Sequence, residues 1–212
     1  MTKDVEQRLA QVYSAASTPE LSKTYDEWAS SYDADMLATC YAHPAVICGL
    51  VARFLPDLKA PILDAGVGTG TVGTLLSVLG YTNLQGLDMS QGMLAKAKSR
   101  GVYHSLHQGM LGTALDYPSA HFACILSTGT FTTGHAPASA FDELTRILQP
   151  GGKLIFTVGE KVWAENGFAE KLESLCRAGQ LSPLWQSQTY HPMPHSKTEG
   201  HFTTVALVYQ RV

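Results

Sequence analysis

Pro61-Ile62-Leu63-Asp64-Ala65-Gly66-Val67-Gly68-Thr69-Gly70 is the stretch that decides the fold of this chain. A short apolar run, Ile62-Leu63, feeds a turn with glycines at three alternate positions. Val72, Leu75, Leu76 and Leu79 then recur at helical spacing, and Gly80 marks the stop. Strand, glycine turn and helix in this order make the element that holds nucleotide-like ligands. Glycine lets the backbone approach a ligand where a Cβ would collide, and the first helical turn offers unpaired N–H groups. Asp64 changes the expected ligand. A carboxylate at the strand end repels a pyrophosphate and suits a ligand with a cationic group and hydroxyls, such as S-adenosylmethionine.

The same residues carry a competing pattern. Gly68-Thr69-Gly70-Thr71-Val72-Gly73 satisfies the dinucleotide signature G-x-G-x-x-G, and Asp88 follows Gly68 by 20 residues, the spacing of a ribose-binding acid. Both ligands carry an adenosine ribose, so the glycine turn leaves the two readings open. The rest of the chain separates them.

Working outward, Val5, Leu9 and Val12 predict a helix within residues 3–16, with Thr18-Pro19-Glu20 as a break. Leu21, Tyr25, Trp28 and Tyr32 fall on one helical stripe. Such a stripe suits either a core or the rim of a pocket. Pro44 opens a helix through Val46, Ile47, Leu50, Val51, Phe54 and Leu55. Beyond the glycine turn the expected strands are 84–87, with Asp88 at its end, then 102–106, 122–126 and 153–158, the last entered by the turn Gln149-Pro150-Gly151-Gly152. Helices alternate with them, starting at Ser90 and at Pro137, and another spans about 168–178. Two successive strands, about 184–190 and 201–209, close the chain.

Alternation of strand and helix implies a parallel doubly wound sheet. The last strand is apolar on both faces, with Phe202, Ala206 and Val208 on one and Val205, Leu207 and Tyr209 on the other. It therefore belongs inside the sheet; inserted beside the fifth strand, it would run antiparallel to its neighbours. The expected architecture is α/β: a Rossmann-like, seven-stranded doubly wound sheet whose last strand is antiparallel. Residues 1–212 read as a single domain, with 1–56 as an N-terminal helical cap over the cofactor site and 57–212 as the core.

Bulk properties fit a globular protein of one domain, with 212 residues, 45% hydrophobic and 16% charged. A net charge of −3 and the lack of any basic run argue against nucleic-acid partners and anionic membranes. No apolar run is long enough to span a bilayer, and a cytoplasmic location is the default expectation. The four cysteines form no C-x-x-C pair and the eight histidines no ligand set, so no metal is expected. The oligomeric state is left open.

Four stretches resemble the class I S-adenosylmethionine-dependent methyltransferases. They are Leu63 to Gly70, Leu87-Asp88-Met89-Ser90, the Arg146 to Leu154 turn into the fifth strand, and Tyr25-Asp26-Glu27-Trp28-Ala29-Ser30-Ser31-Tyr32-Asp33. Asp35-Met36, together with Thr128-Gly129-Thr130-Phe131 leading to Gly134 and Pro137, is similar to the Williams–Beuren-region methyltransferase-like group and to small natural-product methyltransferases. The resemblance implies S-adenosylmethionine as cofactor and S-adenosylhomocysteine as product. It implies that Asp64, Gly66, Gly68 and Gly70 hold the methionine part, that Asp88 accepts the ribose hydroxyls and that Met89 packs on adenine. Gly109 and Met110 stand where the family often has an acid for the adenine amine, which leaves that contact to the backbone. The resemblance further implies that Ser127 and Thr128 lie beside the methionine end and that Tyr25, Trp28 and Tyr32 cover the site. Ser127 also replaces the acidic ligand of metal-dependent catechol methyltransferases.

Methyl transfer from a sulfonium is an in-line displacement in which alignment and exclusion of water supply much of the rate. A base is needed only when the acceptor must lose a proton. His135, after the fourth strand, is the candidate base, and Tyr25 the second catalytic candidate; the plainer reading of His135 is an exposed loop histidine. The acceptor pocket is expected between the Tyr25–Tyr32 helix, the Gly129–Pro137 loop and the His191–His195 loop. The expected reaction is methylation of a small molecule on oxygen, hydroxyl or carboxylate. The alternative is an S-adenosylmethionine- or S-adenosylhomocysteine-binding protein that acts through a protein partner with little catalysis. A nicotinamide reductase recedes, because none of the nine tyrosines is followed four residues later by lysine.

Overall fold

The computed structural model describes residues 4–212; Lys3, included in the first expected helix, lies outside them. The chain runs α1 (Val5–Tyr13), α2 (Thr18–Trp28), α3 (Tyr32–Ala38), α4 (His43–Phe54), β1 (Ile62–Ala65), α5 (Thr71–Val78), β2 (Leu84–Asp88), α6 (Gln91–Ser99) and β3 (Ser105–Gln108). It continues through β4 (Phe122–Phe131), α7 (Ala140–Ile147), β5 (Leu148–Gly159), α8 (Glu160–Glu165), α9 (Phe168–Arg177), β6 (Leu181–Gln186) and β7 (Thr204–Arg211). The seven strands form one sheet in the order β3-β2-β1-β4-β5-β7-β6. β1 to β5 are mutually parallel, and β7 runs antiparallel between β5 and β6. The expected Rossmann-like layout with its inserted antiparallel strand is the observed one.

Two apolar layers sandwich the sheet, because strands buried on both faces must be covered on both. One joins Leu63, Ala65, Leu154 and Phe156 to α7 and α9 through Phe141, Leu144 and Leu172. The other joins Ile62, Cys124, Ile155 and Val208 to α4 and α5 through Ile47, Val51 and Leu76. α4 thus belongs to the sheet layers, although it falls within the stretch read as cap. A third cluster, with Leu9, Val12, Leu21, Trp28 and Met36, binds α1, α2 and α3 into a lid over the carboxyl ends of the strands. Among the described residues no single helix is long and apolar enough to cross a membrane.

Several boundaries move for identifiable reasons. Thr18-Pro19 begins α2 instead of breaking a pattern: Ser17 accepts the Glu20 amide at 3.4 Å and the proline sits in the first turn, where its missing N–H costs nothing. The aromatic stripe spans two helices, α2 and α3, whose joint is fixed by Asp35, which accepts from Trp28 Nε1 (2.7 Å) and Ser31 Oγ (2.9 Å). The Gln149–Gly152 turn lies within β5 as a bulge, with Gly151 at φ +76° and the register jumping from Phe122↔Leu148 to Cys124↔Lys153. β4 continues past Leu126 to Phe131, bulged at Gly129, where φ is +66°. The last two strands are shifted: β6 ends at Gln186, and Tyr190 makes only an isolated bridge to Thr204.

Candidate active site

Gly66 and Val67 donate their amides to Leu87 O at 2.8 and 2.9 Å, which locks the glycine turn onto β2. Gly68 N donates to Asp88 Oδ2 at 2.8 Å, and Ser90 N to Oδ1 at 2.9 Å. The lid is tied to the same turns. Asp26 of α2 accepts from Ser90 Oγ (2.6 Å) and from Gly92 N (2.8 Å). Asp33 of α3 accepts from Thr69 Oγ1 and pairs with Arg100.

Between lid and sheet lies a cavity of about 360 Å³. Its walls include Gly66, Gly68, Asp88, Met89, Gly109 and Met110, with Tyr25 and Tyr32 above. Gly68 exposes backbone here, since a Cβ on it would meet nothing within 4 Å, whereas one at Gly66 would run into Thr130 and one at Gly109 into Leu87. Burial pushes the Asp88 carboxyl up, against the backbone amides of Ser90, Gly68 and Met89 that favour its charge. This donor set fits an adenosyl group: a carboxylate for hydroxyls, bare backbone, and Leu87, Met89 and Met93 as apolar walls.

Four expected cofactor residues stand elsewhere. Asp64 does not line the cavity: alternation along β1 turns it under α5, where Tyr103 OH donates to its Oδ2 at 2.7 Å and its Oδ1 is unpartnered. Burial pushes this carboxyl up to about 7, against the Tyr103 bond. Gly70 caps α5 at φ +82°, packed on Ala97 and Tyr103. Ser127 is fully buried and donates to Ala65 O at 2.7 Å; its neighbour Thr128 faces the cavity instead, with an unpartnered Oγ1. Trp28 lines a second cavity.

That second cavity, about 370 Å³, lies among α1, α2, the end of β5 and the Pro192-Met193 stretch. It adjoins the Tyr25–Tyr32 and Gly129–Pro137 stretches, and Tyr13, Tyr41, His43 and Glu199, which the sequence did not single out, also line it. No periodicity joins these four, since they come from three separate segments: the end of α1, the 41–43 stretch and the chain before β7. His191 and His195 are absent from the wall; they approach Phe202 O (3.0 Å) and Cys40 Sγ (3.1 Å). His43 Nδ1 lies 2.8 Å from Tyr190 OH, and burial lowers its pKa to about 3.

Tyr25, Tyr32, Gly129 and His135 are common to both cavities. Tyr25 OH lies 2.8 Å from His135 Nε2. His135 Nδ1 lies 2.8 Å from Thr132 Oγ1 and 3.0 Å from the Thr133 carbonyl. A carbonyl only accepts, so Nδ1 carries the proton and Nε2 accepts from Tyr25. Burial lowers the His135 pKa and raises that of Tyr25 well above its ordinary value, so both stay neutral near pH 7. His135 is thus a braced, half-buried histidine.

A doubly wound sheet with one inserted antiparallel strand, and a glycine turn opening on an acid-edged cavity, define an S-adenosylmethionine-dependent methyltransferase fold. The comparisons agree. A family described as a methyltransferase domain matches residues 63–156. Methyltransferase-like protein 27 of Homo sapiens is 32% identical over 197 residues, covering 90% of this chain and 80% of the human protein. A Haloferax volcanii methyltransferase, solved in complex with the Trm112 methyltransferase activator, superposes with a TM-score of 0.64 at 21% identity, covering 88% of this chain and 96% of its own. An S-adenosylmethionine-dependent methyltransferase of Thermotoga maritima gives 0.61 at 23% identity, covering 86% and 96%. The chain belongs to the class I S-adenosylmethionine-dependent methyltransferases, related to the methyltransferase-like group, and S-adenosylmethionine is its cofactor.

Proposed function

We propose that this enzyme methylates a hydroxyl oxygen of a small molecule, with the first cavity holding the cofactor and the second the acceptor. One observation carries the reading: the two cavities meet at a hydrogen-bonded Tyr25–His135 pair. Asp88 holds the ribose hydroxyls, Gly66 and Gly68 offer backbone to the methionine part, and Met89 and Met110 flank the adenine. Thr128 takes the place expected of Ser127. The described chain works as one domain, with α1 to α3 as its lid.

S-adenosylmethionine supplies an electrophilic methyl group on a cationic sulfur and leaves as a neutral thioether. The chain's own residues then have one proton to move. An acceptor hydroxyl becomes more acidic as its oxygen bonds to carbon, and its proton passes to Tyr25 as Tyr25 gives its own to His135 Nε2. The Thr133 carbonyl stabilises the resulting imidazolium through Nδ1–H. The lid excludes water, which keeps the acceptor aligned and the methyl group from hydrolysis. A carboxylate acceptor would need no such pair, so the pair favours a hydroxyl.

The test is transfer of labelled methyl to a panel of phenols and carboxylic acids. Transfer to phenols, lowered at least about 100-fold in His135→Gln with S-adenosylhomocysteine affinity kept, supports the reading. Unchanged turnover in that variant removes His135 from the mechanism. The competing reading, a partner-directed binding protein, predicts no turnover with any small acceptor. The open volume of the second cavity speaks against it: Trp28 and Met193 line that space without filling it, and Phe131 is stacked on Phe141 in the core.

A further inference from the structure

The second cavity contains an ionisable side chain that the proton transfer does not use. Glu199 is 8% exposed, lines this cavity, and has a buried Oε2 with no hydrogen-bond partner. Its position is braced. Glu6 of α1 accepts from Ser196 Oγ (2.8 Å), Lys197 N (2.7 Å) and Thr198 Oγ1 (2.6 Å), and Glu199 N donates to Ser196 Oγ at 3.0 Å. A buried acceptor left unpaired is destabilising, and one that faces a cavity is placed to take a donor from a bound molecule.

The surroundings select the chemistry of the missing donor. Tyr13, Trp28 and Tyr41 turn aromatic surface to the same space, and aromatic faces attract cations. Burial, and next the nearby charge of Glu199, push the Tyr13 hydroxyl up to about 12. Tyr13 also meets His135 edge-on at 6.1 Å between centroids, so it lies between the Tyr25–His135 pair and Glu199. Burial disfavours the charged form of both histidines of this wall, His43 and His135. Lys161 and His201 are exposed, Lys161 at the rim; burial, and less strongly Glu6, push the Glu199 carboxyl up, against the Thr198 hydroxyl and the nearby His201.

We propose that Glu199 anchors a protonated amino group of the acceptor, making the substrate a compact amine that also bears the hydroxyl to be methylated. The assignment of the hydroxyl end rests on the methyl-transfer reading; the amine end rests on Glu199 and the aromatic wall. A carboxylic acid in this place would meet like charge, and a neutral molecule would leave Oε2 unpaired.

Three phenols of similar size test this: tyramine, 4-ethylphenol and 3-(4-hydroxyphenyl)propionate, titrated calorimetrically into protein saturated with S-adenosylhomocysteine. Tyramine is expected to bind about tenfold or more tighter than 4-ethylphenol, with the propionate weakest. Glu199→Gln, neutral and isosteric, should cost tyramine about tenfold and leave 4-ethylphenol within about twofold, at unchanged S-adenosylhomocysteine affinity. The wild-type ranking decides even if the variant folds poorly. Equal binding of amine and neutral phenol, a preference that survives Glu199→Gln, tightest binding by the propionate, or no binding by any of the three would overturn the proposal. Methyl transfer measured in parallel separates the two readings. Glu199-dependent binding of tyramine without turnover leaves the anchor standing and removes hydroxyl methylation.

Discussion

On the proposed mechanism, the proton between Tyr25 and His135 sets how the enzyme should respond to pH. Burial disfavours the imidazolium, so His135 remains a free base to pH values below its ordinary 6.5. With a hydroxylic acceptor, kcat/KM should therefore be flat from pH 7 to 8 and fall only in acid, below about 6.5. His135→Gln should abolish that acid limb as well as lower kcat, and steady-state profiles of both proteins check it. An acid limb well above 6.5 would mean that another group carries the proton. Single residues were also where sequence reading had least purchase. Asp64 and Ser127 lie in β1 and β4 close to the glycine turn in sequence or register, but a strand turns alternate side chains to opposite faces. Leu63 and Ala65 share one apolar layer, which already committed Asp64 to the other. The partner that receives it, Tyr103, precedes β3 and bears no recognisable relation to the glycine turn in sequence. The places of Asp88 and Met89 at the end of β2 and of Tyr25 on the α2 stripe followed from clear periodicity, whereas His135 lies in the loop after β4.

At the scale of elements, α5 is held to the sheet by a relay that the glycine pattern conceals. Tyr103 OH accepts from Gly73 N at 3.0 Å and donates to Asp64. Tyr103→Phe leaves both groups buried and unpaired, so it should destabilise the fold by about 1–3 kcal/mol in chemical denaturation. Gly73→Ala should be at least as harmful, since its Cβ would run into the Tyr103 hydroxyl. Gly73 thus satisfies the dinucleotide pattern for a packing reason. The connection between β6 and β7 depends on α1 in a different way. Burial acts against the Glu6 charge, but bonds from Thr198, Lys197 and Ser196 outweigh it and lower the pKa from 4.5 to about 2. A depressed acid stabilises above its unfolded pKa and loses that contribution as pH falls through the folded value. The stability gap between wild type and Glu6→Gln should accordingly be constant above pH 4.5 and close between 4.5 and 2. A gap that persists at pH 2 would show that the latch does not depend on charge. Nothing in the local sequence around Glu6 points to residues 196–198, so this contact was not readable in advance.

For the molecule as a whole, the order of elements carried the fold. The run of β/α units fixed a parallel sheet, and a last strand apolar on both faces had to lie inside it, which the β5-β7-β6 order shows. The lid was less legible. Its stripe of Leu21, Tyr25, Trp28 and Tyr32 is continuous in period, yet the chain breaks it between two helices and sets them across two cavities. That division sets the two cavities on either side of one bonded pair, and on the proposed function cofactor binding in the first should stabilise the fold. At a concentration 100 times its Kd, S-adenosylhomocysteine should add about 2.7 kcal/mol to the unfolding free energy. The most direct measurement is calorimetric titration of wild type and Asp88→Ala with S-adenosylmethionine, S-adenosylhomocysteine and NADPH. The glycine-turn cavity edged by Asp88 predicts micromolar binding of both adenosyl ligands to wild type, a loss of about tenfold to 100-fold in Asp88→Ala, and no binding of NADPH. Binding of NADPH alone, or adenosyl affinity untouched by Asp88→Ala, would contradict it.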